Sequence, residues 1–198
     1  MLPVTRSLLI VNVVVYLLQM TGANQLIFWF ALWPPGGEGR MPSFELWQLV
    51  TYSFLHGGLA HLFFNMLALF MFGSDIERVF GSRWFLRYYL VCVVAAALTH
   101  MAATAWMGLP PLPTVGASGG VFGVLLAFGM YFPRRQVMLI FPPIPMQARY
   151  FVVLYGLVEL YFGVTGTAMG IAHFAHLGGM LGGFLMIAHR RGWFSPRR

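Results

Sequence analysis

Charged side chains are scarce in this chain of 198 residues, and lysine is absent altogether. Charged residues make up 9% of the sequence, whereas hydrophobic residues make up 59%. Soluble domains typically carry about 25% charged residues, which is enough to give a hydrophobic core a wettable exterior. So few charges cannot do this, and part of the surface must therefore face lipid. The composition excludes an ordinary water-soluble domain.

Cysteine is nearly absent as well. Cys92 is the only one, so a disulfide within the chain is excluded. The net charge of +7 does not indicate nucleic-acid binding, because no basic face is interleaved with aromatic residues. The basic residues instead cluster between apolar runs, as is typical of the cytoplasmic ends of transmembrane helices. These clusters are Arg78, Arg83 and Arg87; Arg134, Arg135 and Arg149; and Arg190, Arg191, Arg197 and Arg198.

Six apolar stretches predict an all-α, polytopic membrane protein with one domain over residues 1–198. The predicted helices are roughly 5–22, 59–78, 84–106, 118–132, 149–166 and 171–189, most of them near the ~20 residues that span a bilayer. A cytoplasmic N-terminus would place every arginine except Arg40 on the cytoplasmic side, so we predict that both termini are cytoplasmic. The first apolar run lacks a signal-peptidase site and is expected to remain as a helix. No transit peptide is recognisable, which favours a prokaryotic plasma membrane.

The longest predicted loop, 23–58, lies on the outer side and is rich in aromatic residues. They flank a Pro34-Pro35-Gly36-Gly37 turn, with Phe28, Trp29, Phe30 and Trp33 before it and Phe44, Trp47 and Tyr52 after it. Tryptophan-rich sequence of this kind is typical of the membrane interface. We interpret the loop as an interfacial aromatic belt, and a role in lateral access to a site stays open as an alternative.

Polar side chains inside membrane spans are costly and are usually functional. The predicted spans contain His61, Asn65, His100, Ser118, Glu159, His173 and His176. Counting about 1.5 Å per residue from the cytoplasmic arginines places His61, Ser118 and His176 at heights of about 25, 24 and 21 Å. Three helices would therefore carry polar side chains at one level of the outer half. The same count gives about 20 Å for His100 and about 15 Å for Glu159.

Ser118 follows a segment that cannot be helical. Residues 109–114 read Leu-Pro-Pro-Leu-Pro-Thr, and prolines lack the amide donor that a helix needs. The fourth helix is therefore expected to begin near Ser118, after a loop that enters the membrane. Non-helical backbone at that depth needs protein or a water-filled cavity around it. Serine is also a preferred helix N-cap, so capping is the alternative role.

The sixth predicted span presents a face of two histidines and two glycines, which are His173, His176, Gly179 and Gly183. Small residues at this spacing allow another helix to approach closely, and Gly119 and Gly123 offer a matching surface. Such packing would bring the His176 ring to the Ser118 hydroxyl. An imidazole can take the proton of a serine hydroxyl and later deliver it to a leaving amine.

The same arrangement would need donors for the oxyanion that develops in the reaction. His61, Asn65 and the backbone amides at the start of the fourth helix, including that of Gly119, are the candidates. No acidic third member is expected. Asp75 and Glu77 lie at the opposite end, Glu38 and Glu45 lie in the outer loop, and Glu159 lies lower than His176 by the count of heights. The residues therefore predict a Ser-His dyad.

The chain resembles the rhomboid family of intramembrane serine proteases. Three motifs carry the resemblance, in order, on spans two, four and six. They are His56-Gly57-Gly58-Leu59-Ala60-His61-Leu62-Phe63-Phe64-Asn65 after a segment with Trp47, Gly116-Ala117-Ser118-Gly119, and Ala175-His176-Leu177-Gly178-Gly179 followed by Gly183. The resemblance implies a six-helix bundle that cleaves transmembrane segments near their ends.

The resemblance also implies roles for single residues. Ser118 would be the nucleophile and His176 the general base, while His61 and Asn65 match oxyanion-stabilising positions. Phe122 matches an aromatic residue that packs on the catalytic histidine, and His56 matches a supporting histidine ahead of the second span. His173 has either an orienting or a structural role.

Two other functions stay open. One is an inactive rhomboid-like protein that binds membrane helices, which usually lacks the serine or the histidine. The other is a proton-coupled transporter with Glu159, His100 and His173 as a relay, although the sequence shows no inverted repeat. We predict no cofactor and no metal. The expected partners are transmembrane protein substrates and membrane lipid, not nucleic acid.

Overall fold

Seven α-helices form most of the structure, a computed structural model that describes residues 1–35, 42–110, 112–138, 143–166 and 172–193, apart from the side chains of residues 23 and 24. The helices are α1 (Pro3–Phe30), α2 (Gln48–Thr51), α3 (Leu59–Phe80), α4 (Ser82–Met107), α5 (Ser118–Tyr131), α6 (Ala148–Thr165) and α7 (His173–Arg190). A 3-10 turn, Tyr52–Phe54, follows α2. An antiparallel hairpin of β1 (Gln136–Met138) and β2 (Pro145–Gln147) lies between α5 and α6.

Among the described residues, four helical stretches are long and apolar enough to cross a membrane. They are Pro3–Gly22 within α1, then α3, α4 and α6. Helix α5 is apolar but shorter, with 14 residues. Large apolar side chains on the outside of the bundle are exposed, among them Leu17, Phe63, Leu98 and Tyr161. The chain is mostly helical, as predicted, and its outer surface suits lipid.

The first helix is longer than predicted, and the prediction of a loop over 23–58 is wrong in part. Helix α1 changes direction at Gly22 (φ −153°, ψ 41°) and continues to Phe30. The predicted helix ended at residue 22, but the single non-helical residue there only bends α1. The indole of Trp33 donates to the carbonyls of Ile27 and Phe28 in the last turn of α1 (3.3 and 3.1 Å), and the Ile27 carbonyl also accepts from the Ala31 amide (3.1 Å). The turn at residues 36–37, Glu38, Arg40 and the predicted start of the last helix at 171 lie outside the described residues.

Helix α4 lies at the centre of the bundle and packs against both α5 and α7. Its side chains Phe85, Tyr88, Tyr89 and Cys92 are fully buried. The Tyr88 hydroxyl donates to the carbonyl of Gly123 in α5 (2.6 Å). Because α4 supports both helices, it sets the position of one against the other.

Arginines from each of the three clusters lie at one end of the bundle. Asp75, near the end of α3, forms ion pairs with Arg78 and with Arg135, which follows α5. Arg190, the last residue of α7, lies over the Trp84 ring at the start of α4 (4.7 Å). Segments far apart in sequence thus bring their positive charge to the same end.

A buried carboxylate ties the start of α1 to this end. Glu77, whose side chain is buried, accepts hydrogen bonds from the amides of Val4 and Thr5 (3.0 and 2.8 Å). It also accepts from the hydroxyls of Thr5 (2.8 Å) and Ser82 (2.6 Å). Glu77 thus accepts two amides from the first turn of α1, which lack partners within that helix, and joins them to the Ser82 hydroxyl at the start of α4.

We predict that Glu77→Ala destabilises the protein, because it leaves the amides of α1 buried without an acceptor. The free energy of unfolding should fall by about 2–4 kcal/mol. Heat-induced exposure of buried Cys92 to a thiol-reactive fluorophore in detergent measures this. Asp75→Ala, which removes more exposed ion pairs, serves as the control and should change the midpoint little. Equal midpoints for the two variants would contradict the role of Glu77.

Candidate active site

Residues 112–117, before α5, form irregular backbone. Thr114 exchanges amide and carbonyl hydrogen bonds with Leu32 (both 3.0 Å), and the Gly116 amide donates to the Tyr52 carbonyl (3.0 Å). These bonds satisfy polar backbone groups that no helix or strand pairs. Gly116 has a φ of +132°, which favours glycine. The helix begins at Ser118, so the predicted non-helical entry is confirmed.

Ser118 and His176 are in direct contact. The Ser118 Oγ lies 2.8 Å from Nε2 of His176, which is buried, whereas Ser118 is partly exposed. The N-cap of α5 is Ala117, which makes no side-chain capping bond. The capping alternative for Ser118 is therefore wrong, since Ser118 is one residue inside the helix and its hydroxyl meets the imidazole.

Glycines allow the close approach of α5 and α7. A Cβ at Gly179 would overlap the carbonyl of Gly119, and one at Gly123 would lie 3.2 Å from the carbonyl of Gly179. Gly183 differs from the expectation: it faces the Tyr88 hydroxyl of α4, not α5. The glycine face is therefore split, because α7 packs into the groove between α4 and α5.

An aromatic ring covers the face of the histidine. Phe122 stacks on His176 with ring centroids 4.2 Å apart and planes 6° apart. Phe122 lies one helical turn after Ser118, so the hydroxyl and the stacking ring are on one face of α5. The stacking limits rotation of the imidazole and holds its edge towards Ser118.

The prediction that no acidic residue reaches the histidine is wrong. The Glu159 carboxylate lies 2.8 Å from Nδ1 of His176 and 2.6 Å from Nδ1 of His173, both through Oε2. The count of heights placed the Cα atoms of Glu159 and His176 about 6 Å apart along the membrane normal. That gap is within the reach of two side chains, so the height criterion was too strict. A charged residue inside a span was the signal that could have identified Glu159.

The ligand atoms of Glu159, His173 and His176 all lie within 4.8 Å of one another, a grouping that could hold a metal ion by distance alone. However, the two N···O separations of 2.6 and 2.8 Å are those of direct hydrogen bonds. Tetrahedral zinc ligands, at about 2.0 Å from the metal, lie about 3.3 Å from one another. The cluster therefore fits a hydrogen-bonded group better than a metal site.

His61 borders the same space as the serine hydroxyl. A Cβ at Gly116 would lie 2.8 Å from Nε2 of His61 and 3.7 Å from Ser118 Oγ. Nδ1 of His61 accepts a hydrogen bond from the Gly57 amide (3.4 Å). This bond assigns the imidazole proton to Nε2, the nitrogen that faces the Ser118 side.

Asn65 and the start of α5 supply further donors near His61. Nδ2 of Asn65, which is buried, donates to the carbonyl of His61 (2.9 Å), and this amide nitrogen carries a second hydrogen. The amides of the first turn, including that of Gly119, lack acceptors within the helix. They form the positive end of the helix dipole beside Ser118.

His56 lies behind His61. Its ring makes an edge contact with the His61 ring (centroids 5.1 Å apart), and its backbone exchanges hydrogen bonds with the Gln19 side chain. Burial, with a smaller effect of His61, lowers the pKa of His56 to about 4. His56 is therefore neutral at physiological pH and packs on His61 without adding charge.

The residues of the expected proton relay are not assembled as one chain. Glu159 and His173 are in contact, but Nε2 of His100 is hydrogen-bonded to Thr114 (2.8 Å) in the segment before α5. His100 thus supports the loop that leads to Ser118. This placement gives the transporter alternative no support.

The chain matches the family model of the rhomboid domain over residues 43–192. It belongs to the rhomboid family. This rhomboid is 31% identical to rhomboid protease GlpG of Serratia proteamaculans, over 93% of this chain and 61% of the relative. It is 33% identical to rhomboid protease GluP of Bacillus subtilis, over 73% of this chain and 26% of the relative. It is 32% identical to the mitochondrial rhomboid protein 1 of Saccharomyces cerevisiae, over 76% of this chain and 42% of the relative.

The chain thus spans about 60% or less of the length of these relatives. Family membership and the apolar helices together show that it is an integral, multi-pass membrane protein.

We predict that Gly179→Ala separates α5 from α7, because its methyl group would meet the Gly119 backbone. Overpacking of this kind costs about 1–3 kcal/mol, so the thermal midpoint in detergent should fall. Gly156→Ala in α6 is the matched control, since its Cβ would make an ordinary 3.4 Å contact with the flexible end of Met180. If both variants unfold at the thermal midpoint of the wild type, the backbones of α5 and α7 are not in contact.

Proposed function

We propose that this rhomboid is an intramembrane serine endopeptidase that cleaves transmembrane segments of other membrane proteins. The observation that carries the proposal is the 2.8 Å contact between Ser118 Oγ and His176 Nε2, with Phe122 stacked on the imidazole. Nucleophile, base and base-orienting ring have the mutual geometry that acyl transfer requires. Relatives that carry the name rhomboid protease support the same function.

The proposed reaction proceeds in two stages. His176 Nε2 takes the Ser118 proton as Oγ attacks the scissile carbonyl, and the resulting imidazolium then protonates the leaving amine. A water molecule attacks the acyl-enzyme with His176 again as base, and the proton returns to Ser118. The partial exposure of Ser118 supports access of water and substrate.

We assign the oxyanion to donors on two helices. His61 Nε2–H and Asn65 Nδ2–H come from α3, and the Gly119 amide comes from the first turn of α5. The tautomer of His61 set by Gly57 and the unpaired amides of the helix start support this assignment. Each is a dipole held by the fold, so little reorganisation is needed as charge develops.

The proposed topology has six membrane spans, formed by α1, α3, α4, α5, α6 and α7 in one domain. The convergence of the arginine clusters at one end of the bundle supports cytoplasmic termini. Ser118 lies at the opposite end of α5, which supports a site in the outer half of the membrane. We further propose a prokaryotic plasma membrane, with transmembrane protein substrates and lipid as partners.

The decisive test uses the purified protein in detergent with a fluorophosphonate probe and a model transmembrane substrate. The wild type should label and cleave, whereas Ser118→Ala should do neither and His176→Ala should lose at least about 10³-fold in each rate. Cleavage by Ser118→Ala would refute the residue assignment. A folded wild type that neither labels nor cleaves would refute the enzyme and favour the helix-binding alternative.

We predict that Asn65→Ala lowers kcat by about 10²-fold with little change in the thermal midpoint, because one oxyanion donor is lost. Asn12→Ala is a closely matched control. Asn12 is also buried and donates to the carbonyl four residues earlier (2.7 Å), but it lies on α1. Its turnover should stay within about twofold of the wild type. Equal effects of the two substitutions would remove Asn65 from the oxyanion site.

A further inference from the structure

Glu159 lies between two imidazoles on the side of the site away from Ser118. Its Oε2 is 2.8 Å from Nδ1 of His176 and 2.6 Å from Nδ1 of His173, and all three side chains are buried. The carboxylate comes from α6 and the two histidines from α7. A single oxygen thus joins the general base to a second helix.

The contact determines which nitrogen of His176 carries the proton. An ionised carboxylate can only accept, so Nδ1 of His176 must donate to it. The lone pair of the neutral ring is then on Nε2, the nitrogen that lies 2.8 Å from Ser118 Oγ. Without an acceptor at Nδ1, the ring could carry its proton on Nε2 and would be unable to accept the serine proton.

The contact also meets the charge that the reaction creates. When Nε2 takes the serine proton, His176 becomes an imidazolium beside a fixed negative charge, and both side chains are buried. The proton on Nδ1 stays on the ring, and Glu159 stays ionised throughout. An acidic group that orients a histidine and stabilises its cation in this way is the third member of a serine triad.

His173 satisfies the other requirement of a buried carboxylate. Two N–H donors on Oε2 replace water around the charge, which is costly to bury without partners. The second imidazole therefore helps to keep Glu159 ionised, and it is perpendicular to the His176 ring (85° between planes) and does not compete for Ser118.

We infer that Glu159 is a positioning residue for His176 and converts the Ser118–His176 pair into a Ser-His-Glu triad. The inference rests on the proposed function, since it assigns a role within that reaction. Glu159 acts through His176 and does not touch the reacting atoms.

The test compares three substitutions at Glu159 in the full chain, in detergent, with the wild type as reference. Glu159→Gln keeps the length and one acceptor oxygen but removes the charge, and it should lower kcat by about 10–10²-fold with KM within about threefold. Glu159→Ala removes both and should lower kcat by about 10²–10⁴-fold. Glu159→Asp keeps the charge on a side chain that is shorter by one methylene, and its kcat should lie between those of Glu159→Gln and the wild type. Rates of fluorophosphonate labelling of Ser118 should follow the same order.

His173→Phe separates a triad from a simple tether between α6 and α7. It removes the other hydrogen bond to Glu159 but keeps an aromatic ring beside Phe162 (centroids 5.7 Å apart). A tether would make His173→Phe and Glu159→Gln lose equal activity, with parallel falls in thermal midpoint. The triad requires the larger kcat loss in Glu159→Gln at a comparable midpoint.

A wild type that cleaves while Glu159→Gln stays within threefold of it, or matches His173→Phe, overturns the triad and leaves the protease intact. An inactive wild type instead overturns the proposed function itself. The two failures are therefore distinguished by the wild-type reaction alone.

Discussion

The close contact of α5 with α7 is the constraint on which the site depends. Gly179 of α7 meets the backbone of Gly119 in α5, a distance that no side chain with a Cβ would allow. Because the two helices are this close, a serine and a histidine 58 residues apart come within 2.8 Å. Helix α4 packs against both helices through small residues and buried tyrosines, and this packing holds α5 and α7 in place.

Two buried carboxylates connect helices, one at each end of the bundle. Glu77 collects the amides of α1 and the Ser82 hydroxyl at the arginine-rich end, and Glu159 collects two imidazoles near the opposite end. Each is surrounded by donors, as a charge away from water must be. Glu77 connects α1 to the start of α4, whereas Glu159 contacts His176, the partner of Ser118. Burial of an acidic group therefore does not by itself distinguish a structural role from a functional one.

Prediction succeeded where the chemistry is local. The proline-rich segment before Ser118 had to be irregular, and the glycine spacing of α7 indicated a close neighbour; both features are present. Prediction failed where it depended on the three-dimensional arrangement of helices and side chains. Gly183 was assigned to α5 but faces Tyr88, and Glu159 was excluded by height although two side chains close a gap of about 6 Å. The predicted first helix ended at residue 22, whereas α1 only bends there, because the sequence does not show whether a helix bends or ends at a given residue.

The sequence by itself determined that part of the surface faces lipid and that the chain is helical. It also contained the family motifs and identified Ser118 and His176 as candidate site residues. These follow from composition, from the spacing of apolar and small residues, and from the cost of polar groups in lipid. Only the tertiary structure decided which carboxylate reaches His176, which nitrogen of each imidazole faces its partner, and which helix each glycine meets. Those depend on how helices rotate and tilt against one another, which is set by packing among residues distant in sequence.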